Sequence, residues 1–563
     1  MKWFIHPADS EGQLLLSSAL DIRPLTAQLL INRGLRTIEA AQKFLQPDLA
    51  DLPDPFLFPD MELAVERIIA ALAKKERIAL YGDYDVDGIT GVALLTRFFR
   101  SIGHEPLIFI PCRLTEGYGL HKSAIQTLKS QGASLIITVD CGTGSLPEIE
   151  YAHQQGIDMI VTDHHEVSQG EKNHILLNPK RDDITFPVKD IAGCAVAFFL
   201  LMALRKRLRE KKLLHDNEPN LKEHLDLVAL GTIADVVPLV GVNRIFAKFG
   251  LEIARKSLKP GLQSLIDICG VQGASLKTGS IAFRLAPRIN AAGRLGDALP
   301  SFELLTTDDA SYAQKIARDL NTLNSDRQRL EEKALKEAVE IIERDELNKR
   351  GAIVVAHESW HAGIIGIVAS KLVDRYALPT IVISADGKKA KGSARSISGL
   401  NIVEALHQCN DLLDRFGGHA QAAGLQVETI NIDAFRTKFE QCCTLLTKPQ
   451  KKSQIAIDAM VDHKDITMRL AREIDKLEPY GLGNSEPLLC THDLAVTQFR
   501  IVGNNHLKLS LAGENKIYFD AIGFDMGDQP LEIGQKISIA FTPQINVWNG
   551  IESLQLKIKS INY

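Results

Sequence analysis

The chain has 563 residues, too many for one hydrophobic core, so about three domains are expected. Apolar residues make up 45% and charged residues 24%, the profile of an ordinary folded, soluble protein. A formal net charge of −5 excludes a globally basic nucleic-acid binder, so any phosphate-binding surface has to be local.

The amino terminus, Met1 to Asp9, has no apolar signal region, and the longest apolar run, Ile191–Leu204, is too short to span a bilayer. A cytoplasmic protein is expected. From about residue 77, short apolar runs alternate with amphipathic helices such as Thr90–Arg100 and Lys122–Ser130. The runs are Arg77–Tyr81, Leu107–Ile110, Leu135–Val139, Met159–Thr162 and Ile175–Leu177. Continuous Ile, Leu and Val mark strands buried on both faces, and their alternation with helices predicts an α/β fold with a doubly wound, mainly parallel sheet. Ligands of such a sheet bind at the carboxyl ends of its strands. Arg205–Glu223 reads as an exposed helix end and loop, and the Leu/Ala/Ile stripe of Ser325–Glu346 as a long helix joining two domains.

A second, smaller α/β unit starts at Ala352–Ala356, and a polar linker at 447–454 closes it. Beyond it Leu507–Leu511 and Leu554–Ile558 alternate as strands, and Asn549-Gly550 signals a hairpin turn. A small carboxyl-terminal β-barrel of the oligonucleotide-binding type is expected. The predicted organisation is residues 1–325 as an amino-terminal segment with the catalytic domain, 326–346 as a connecting helix, 347–446 as the second α/β domain and 455–563 as the barrel. Eight cysteines show no C-x-x-C pair and no zinc spacing, so free thiols are expected.

Four clusters of acids and histidines fall where strands should end: Asp83, Asp85 and Asp87; Asp140; Asp163-His164-His165; and Asp235 after the apolar run from Leu230. A single acid after a strand is usually a helix cap, and paired histidines are often incidental. Three carboxylates at alternate positions, however, repel one another unless cations neutralise them. A calcium loop would need a Glu twelve positions from Asp83, where this chain has Leu94. Carboxylate and imidazole without thiolate suit Mn²⁺ or Mg²⁺, and acids converging on one sheet edge could hold two ions about 3.5–4 Å apart.

In order and spacing, GDYDVDG, VDCGTGS, VTDHHEV and GTIADVVPL resemble the motifs of the DHH phosphoesterase superfamily, whose signature triplet is Asp163-His164-His165. Gly392-Ser-Ala-Arg395 and Phe416-Gly-Gly-His419-Ala-Gln-Ala-Ala-Gly424 resemble the substrate-binding motifs of its DHHA1 domain. With PCRLTEGYGL (111–120) and APRINAAGRLGDA (286–298), the resemblance is strongest to the RecJ-like exonucleases within it. That resemblance implies a two-metal enzyme that hydrolyses single-stranded DNA from the 5′ end to 5′-mononucleotides, in recombination and repair, with a narrow mouth that excludes duplex. It also implies contact with single-strand-binding protein and repair helicases.

Carried over by motif, Asp85 serves one metal and Asp87 the other, Asp140 bridges them, and His164 and Asp235 complete the second site. His165 lies beside the scissile phosphate. The superfamily often has a His where this chain has Tyr81, so Asp83 or water is expected to complete the first site. Candidate substrate contacts are Arg284, Arg288 and Arg294 as a phosphate-tracking face, Tyr118 as a base stack, and the glycine-flanked Gly418 and His419 as turns a strand approaches closely. Arg113, Ser393 and Arg395 are expected to receive the 5′-phosphate. Two other readings stand beside this one: a DHH-type hydrolase of a short oligonucleotide, cyclic dinucleotide or pyrophosphate, and a non-enzymatic replication scaffold. The full acid and histidine set argues against the scaffold, and the trailing barrel against the small substrates.

Overall fold

The computed structural model describes residues 2–167, 174–214, 218–271, 273–446, 454–548 and 551–563. The chain packs as two compact units: Pro55–Asp235 with Gly250–Lys451, and Met1–Asp54 with Val236–Phe249 and Lys452–Tyr563.

In the first of these, five parallel strands form a sheet in the order Leu107–Phe109, Arg77–Gly82, Ala133–Val139, Asp158–Thr162, Ile175–Leu177. Their continuous Ile, Leu and Val content is explained by burial: Leu80, Ile136, Ile137, Ile160 and Leu177 are fully enclosed. The chain runs from Arg77–Gly82 outward to Leu107–Phe109 and then returns to the other side at Ala133–Val139. Strand order therefore reverses beside Arg77–Gly82, and a crevice opens at the carboxyl ends of that strand and Ala133–Val139.

Two buried helices, Val86–Ser101 and Gly193–Glu210, pack on the sheet, and a third, Leu225–Ala234, packs on both of them. The apolar run Ile191–Leu204 is thus mostly a core helix, and no single helix among the described residues is long and apolar enough to cross a membrane. The helix Leu225–Ala234 corrects the expectation that the run before Asp235 is a strand. A continuous apolar stretch carries no period, and ten residues with Ala and Gly suit a helix buried all round.

The long helix begins earlier than its apolar stripe suggested, at Ala310, and ends at Arg344. Asp309 starts it by accepting from the backbone N–H of Ser311 and Tyr312. A second sheet follows in the order Arg415–His419, Ala422–Glu428, Lys389–Arg395, Thr380–Ser384, Ile353–His357, parallel only between the last two. Gly418 and His419, expected as turns, instead lie on a strand, where Gly417 to His419 pair with Ala422 to Gly424 in a hairpin. Their small side chains leave the outer face of that hairpin nearly bare.

In the other unit, Leu489–Val502, His506–Ala512, Tyr518–Gly523, Ile551–Asn562 and Lys536–Trp548 form a closed five-stranded barrel, since the last pairs back onto the first. The expected turn at Asn549-Gly550 lies outside the described residues, as does the linker at 447–454 apart from Gln454, which opens a strand paired with Lys2–Ile5. Residues 1–54, grouped with the catalytic domain from the sequence, pack elsewhere. Leu16, Leu29 and Phe44 share one core with Leu470, Leu507 and Phe541 of the barrel region. Adjacency in sequence does not say which core an apolar stripe will join. Buried Arg244 helps to knit this core, with its guanidinium over the Phe44 ring and donating to the carbonyls of Phe44, Leu477 and Glu478.

Candidate active site

The crevice at the strand-order reversal gathers the acids. Asp83, Asp85 and Asp87 follow Arg77–Gly82, Asp140 follows Ala133–Val139, and the triplet 163–165 follows Asp158–Thr162. Asp235 arrives from another direction, as the residue capping the carboxyl end of Leu225–Ala234. None of the eight cysteines is in a disulfide, and among the described residues none joins the cluster.

Asp85 is the cap of the helix Val86–Ser101, accepting from the N–H groups of Asp87 and Gly88. A cap uses only part of a carboxylate, and the same group lies with Asp83 and Asp140 in a set whose ligand atoms are all within 4.8 Å of one another. Asp87 is held by the opening turn of Gly193–Glu210: its Oδ2 accepts from Gly193 N at 2.6 Å and its Oδ1 from Cys194 N at 2.9 Å. This approach needs glycine at 193, where a Cβ would sit 2.7 Å from the Cβ of Asp140. Asp140 itself adopts a left-handed backbone (φ 62°), which only a well-supported site maintains in a non-glycine residue.

His164 lies at the centre. Its Nε2 is 3.0 Å from Asp140 and 3.8 Å from Asp87, and its Nδ1 is 3.7 Å from Asp235. His165 Nδ1 is 2.8 Å from Asp163 and 3.0 Å from the Tyr118 hydroxyl. Asp163 also accepts from the backbone of Thr143, His164 and His165. Tyr81, in place of the histidine common in the superfamily, is buried, stacks on Phe109 and donates to the Gly119 carbonyl.

Electrostatics follow from this crowding. Burial, then the charge of Asp85, drives the Asp83 carboxyl far above its ordinary range. Burial and Asp87 do the same to Asp140, and push Asp235 up to about 9. Burial lowers His164. Burial opposes charge on His165 and Asp163 too, but their mutual hydrogen bond and attraction outweigh it, raising His165 and lowering Asp163. The Oδ1 of Asp83 is buried with no hydrogen-bond partner. Enclosed, mutually repelling carboxylates with an orphaned oxygen are what divalent cations stabilise, and an all-oxygen and imidazole donor set fits Mn²⁺ or Mg²⁺.

A cavity of about 770 Å³ opens beside the acids, lined by Tyr84, Arg113, Tyr118, His165, Ser393 and His419 among others. His419 stacks on His165 with ring centres 6.3 Å apart, and Gly418 also faces the cavity. Arg395 donates to Ser393 Oγ at 3.0 Å, and burial followed by the charge of Arg113 lowers its pKa. Arg113 lies over the Tyr84 ring. Arg294 is pushed down to about 10 by burial and then by Arg113, so it belongs to this cationic group.

The three arginines read as one tracking face are not brought together. Arg288 bonds Asn321 and the Arg284 carbonyl, and Arg284 the Cys269 carbonyl, whereas Arg294 reaches Gly363. Positions 288 and 294 are six apart, which puts them on different faces of the helix Ala286–Leu295. Sequence reasoning missed Asp163 as the residue that orients His165. It also missed Asn178, whose amide donates to Thr143 Oγ1 and to the His165 carbonyl. Asp163 was visible as the first member of its triplet; Asn178 carried no signal.

Three family models match: the DHH family N-terminal domain over 77–232, the DHHA1 domain over 348–445 and the RecJ OB domain over 457–560. The chain is 37% identical to the single-stranded-DNA-specific exonuclease RecJ of Bacillus subtilis, over 99% of this chain and 70% of that protein. It is 34% identical to the protein of the same name from Escherichia coli, over 96% of each. A crystal structure of RecJ in complex with Mn²⁺ from Thermus thermophilus superposes with a TM-score of 0.85 at 31% identity, covering 100% of this chain and 79% of that one. The same organism's RecJ in complex with Mg²⁺ gives 0.78 at 30% identity, covering 100% and 78%.

Proposed function

Because the chain belongs to the RecJ family of DHH phosphoesterases, we propose that it hydrolyses single-stranded DNA from the 5′ end to 5′-mononucleotides. The observation that carries this reading is one cavity lined by His165, which belongs to the carboxylate and imidazole cluster, and by Arg113 and Ser393, with Arg395 donating to Ser393 from behind. Family membership supports a role in recombination and repair, with single-strand-binding protein and repair helicases as partners.

Two divalent ions, Mn²⁺ or Mg²⁺, fit the donor sets: Asp83, Asp85 and Asp140 for one, and Asp87, His164 and Asp235 for the other, with Asp140 shared. Bound there, they would supply an activated water and neutralise charge on the phosphate. Asp83 rather than water completes the first set in this reading, because its free Oδ1 has no other partner.

His165, held by Asp163, presents its ring toward the cavity, where it stabilises charge on the reacting phosphate. Arg113, Arg395 and Ser393 hold the 5′-phosphate with charge-assisted hydrogen bonds, and Arg294 adds positive potential behind them. Tyr118, half exposed at the cavity wall, offers a ring for the terminal base. Gly418 and His419 form the opposite wall.

The test is chelation of the full-length protein followed by addition of Mn²⁺, using wild type and Asp140→Ala on a short single strand. Mononucleotides should appear only in the wild type, and only with metal. A folded Asp140→Ala variant that works at the wild-type rate would overturn the assignment.

A further inference from the structure

The second sheet sets its polar side chains in rows. On the strand Lys389–Arg395, residues 391, 393 and 395 share the face opposite the buried Ala390, Gly392 and Ala394. Register extends each of them across two more strands. Arg395 pairs with Ala422 and Ala422 with His419; Ser393 pairs with Gly424 and Gly424 with Gly417; Lys391 pairs with Gln426 and Gln426 with Arg415. Residues two apart on a strand are about 6.6 Å apart, so the three rows follow one another at that spacing.

Their order has a direction. The Arg395–Ala422–His419 row adjoins the reacting end, since His419 stacks on His165. The Ser393–Gly424–Gly417 row comes next, with a floor of two glycines. The Lys391–Gln426–Arg415 row is one step further from His165, yet all three of its residues line the same cavity.

This outer row is cationic and lacks a carboxylate partner. Arg415 is exposed and makes no ion pair among the described residues. Lys391 donates to the Leu114 carbonyl at 2.7 Å, which leaves its charge unneutralised. Glu116, the one acid in the cavity lining, is engaged with the Cys112 N–H at 2.7 Å. Lys391 and Arg415 stand two strands apart, about 10 Å between Cα atoms, so both long side chains can close on one anion above Gln426.

We propose that Lys391, Gln426 and Arg415 form an outer phosphate subsite that accepts phosphoryl groups carried beyond the 5′-phosphate, so that strands with a 5′-triphosphate end are substrates. This rests on the reading that Ser393 and Arg395 hold the 5′-phosphate. The end phosphate, held between Arg395 of the first row and Ser393 of the second, and the further phosphoryl groups at the third row then run outward along one sheet face. Chemistry is unchanged: water adds to the phosphorus of the terminal phosphodiester, its P–O3′ bond breaks, and the 3′ oxygen takes a proton. The terminal residue leaves as a nucleoside 5′-triphosphate with its anhydride bonds intact.

The test uses the full-length protein with Mn²⁺ and one single-strand sequence carrying a 5′-hydroxyl, a 5′-monophosphate or a 5′-triphosphate. Wild type, Arg415→Gln and Lys391→Met are compared by kcat/KM, with released nucleotides resolved by anion exchange. In the wild type the triphosphate end should be used within about fivefold of the monophosphate end and should release nucleoside triphosphate. Each substitution should lower triphosphate use about tenfold relative to monophosphate use. A wild type that prefers monophosphate over hydroxyl but uses triphosphate less well than that overturns the outer row alone, as do substitutions that lower both phosphorylated ends equally. A wild type indifferent to monophosphate against hydroxyl overturns the end-phosphate reading, and the outer row with it. Inorganic triphosphate serves as the free-ligand control. If it inhibits while the triphosphate-ended strand is refused, the row binds a loose polyphosphate and not a strand end, which also counts against the proposal.

Discussion

The Nδ1 of His165 lies 2.8 Å from the Oδ1 of Asp163, the acid that opens the same triplet. Asp163 is fully buried and also accepts from three backbone N–H groups, so it is an acceptor only. Its role is to fix the His165 ring, as a carboxylate behind a histidine commonly does. Asp163→Asn keeps the shape but turns an amide N–H₂ against one of these donors. We expect kcat on single-stranded DNA to fall about 10–100-fold with KM little changed, and stability to drop by about 1–3 kcal/mol. Steady-state kinetics and thermal melting check this; an unchanged kcat would remove Asp163 from the mechanism.

Acidity of the cluster gives a pH dependence with a definite sign. Burial and Asp87 push the Asp235 carboxyl up to about 9 from 3.8, Asp140 rises for the same reasons, and Asp83 rises through burial and the charge of Asp85. Without metal, the folded protein therefore holds protons that the unfolded chain has released. The stability linked to them is complete below the ordinary carboxylate range and is lost as pH climbs toward 9. Metal-free wild type should accordingly lose more melting temperature between about pH 6 and 8.5 than metal-free Asp235→Asn. Mn²⁺ should also raise the wild-type melting temperature more at the higher pH, because fewer protons must leave. A larger loss in Asp235→Asn would contradict the assignment of these shifts.

The catalytic sheet was legible because both its faces are buried: its strands are unbroken apolar runs, and Ile175–Leu177 and the helix Lys122–Ser130 match the expected bounds. The acids were legible because each of the first three clusters follows such a run. Asp235 was found for the wrong local reason, since a run without period does not distinguish strand from helix. Gly417 and Gly418 looked like turn residues, yet glycine on a strand also clears space for a ligand. The row of Lys391, Gln426 and Arg415 was invisible, because register between distant strands is not written in local sequence. Nor could the sequence assign residues 1–54 to the barrel core, where Leu16 and Phe44 meet Leu507.

End recognition can be separated from turnover at Gly366 and Arg395. A Cβ at Gly366 would lie 3.0 Å from both Arg395 Nη2 and Ser393 Oγ, so even alanine crowds the pair. Gly366→Ala and Arg395→Ala should each cut the preference for 5′-phosphorylated over 5′-hydroxyl strands about tenfold, and lower turnover at saturating substrate much less. Initial rates against concentration for both end chemistries decide it. A preference that survives both substitutions would place the end phosphate elsewhere.

Removing the barrel is not a clean test of its binding role. Truncation after residue 451 strips the partners of Leu16, Leu29 and Phe44, all buried in the core they share with the barrel. We expect that truncated chain to expose apolar surface, bind a hydrophobic dye and aggregate. Point changes at exposed Phe499, Tyr518 and Phe524 avoid this. If these rings stack on bases, each change to alanine should weaken binding of long single strands by about 1–3 kcal/mol, with less effect on the shortest ones. Equal losses at every length would argue against strand tracking.

The central claim is tested most directly by following label from each end of one single strand. The full-length protein is stripped of metal, given Mn²⁺, and offered the same oligonucleotide labelled at its 5′ or its 3′ terminus, with the matching blunt duplex alongside. The expected result is that 5′ label appears as mononucleotide from the first turnovers, while 3′ label remains on progressively shorter strands and the duplex is spared. Mononucleotide released first from the 3′ terminus, or internal fragments from both labels, would contradict a 5′-end exonuclease built on this site.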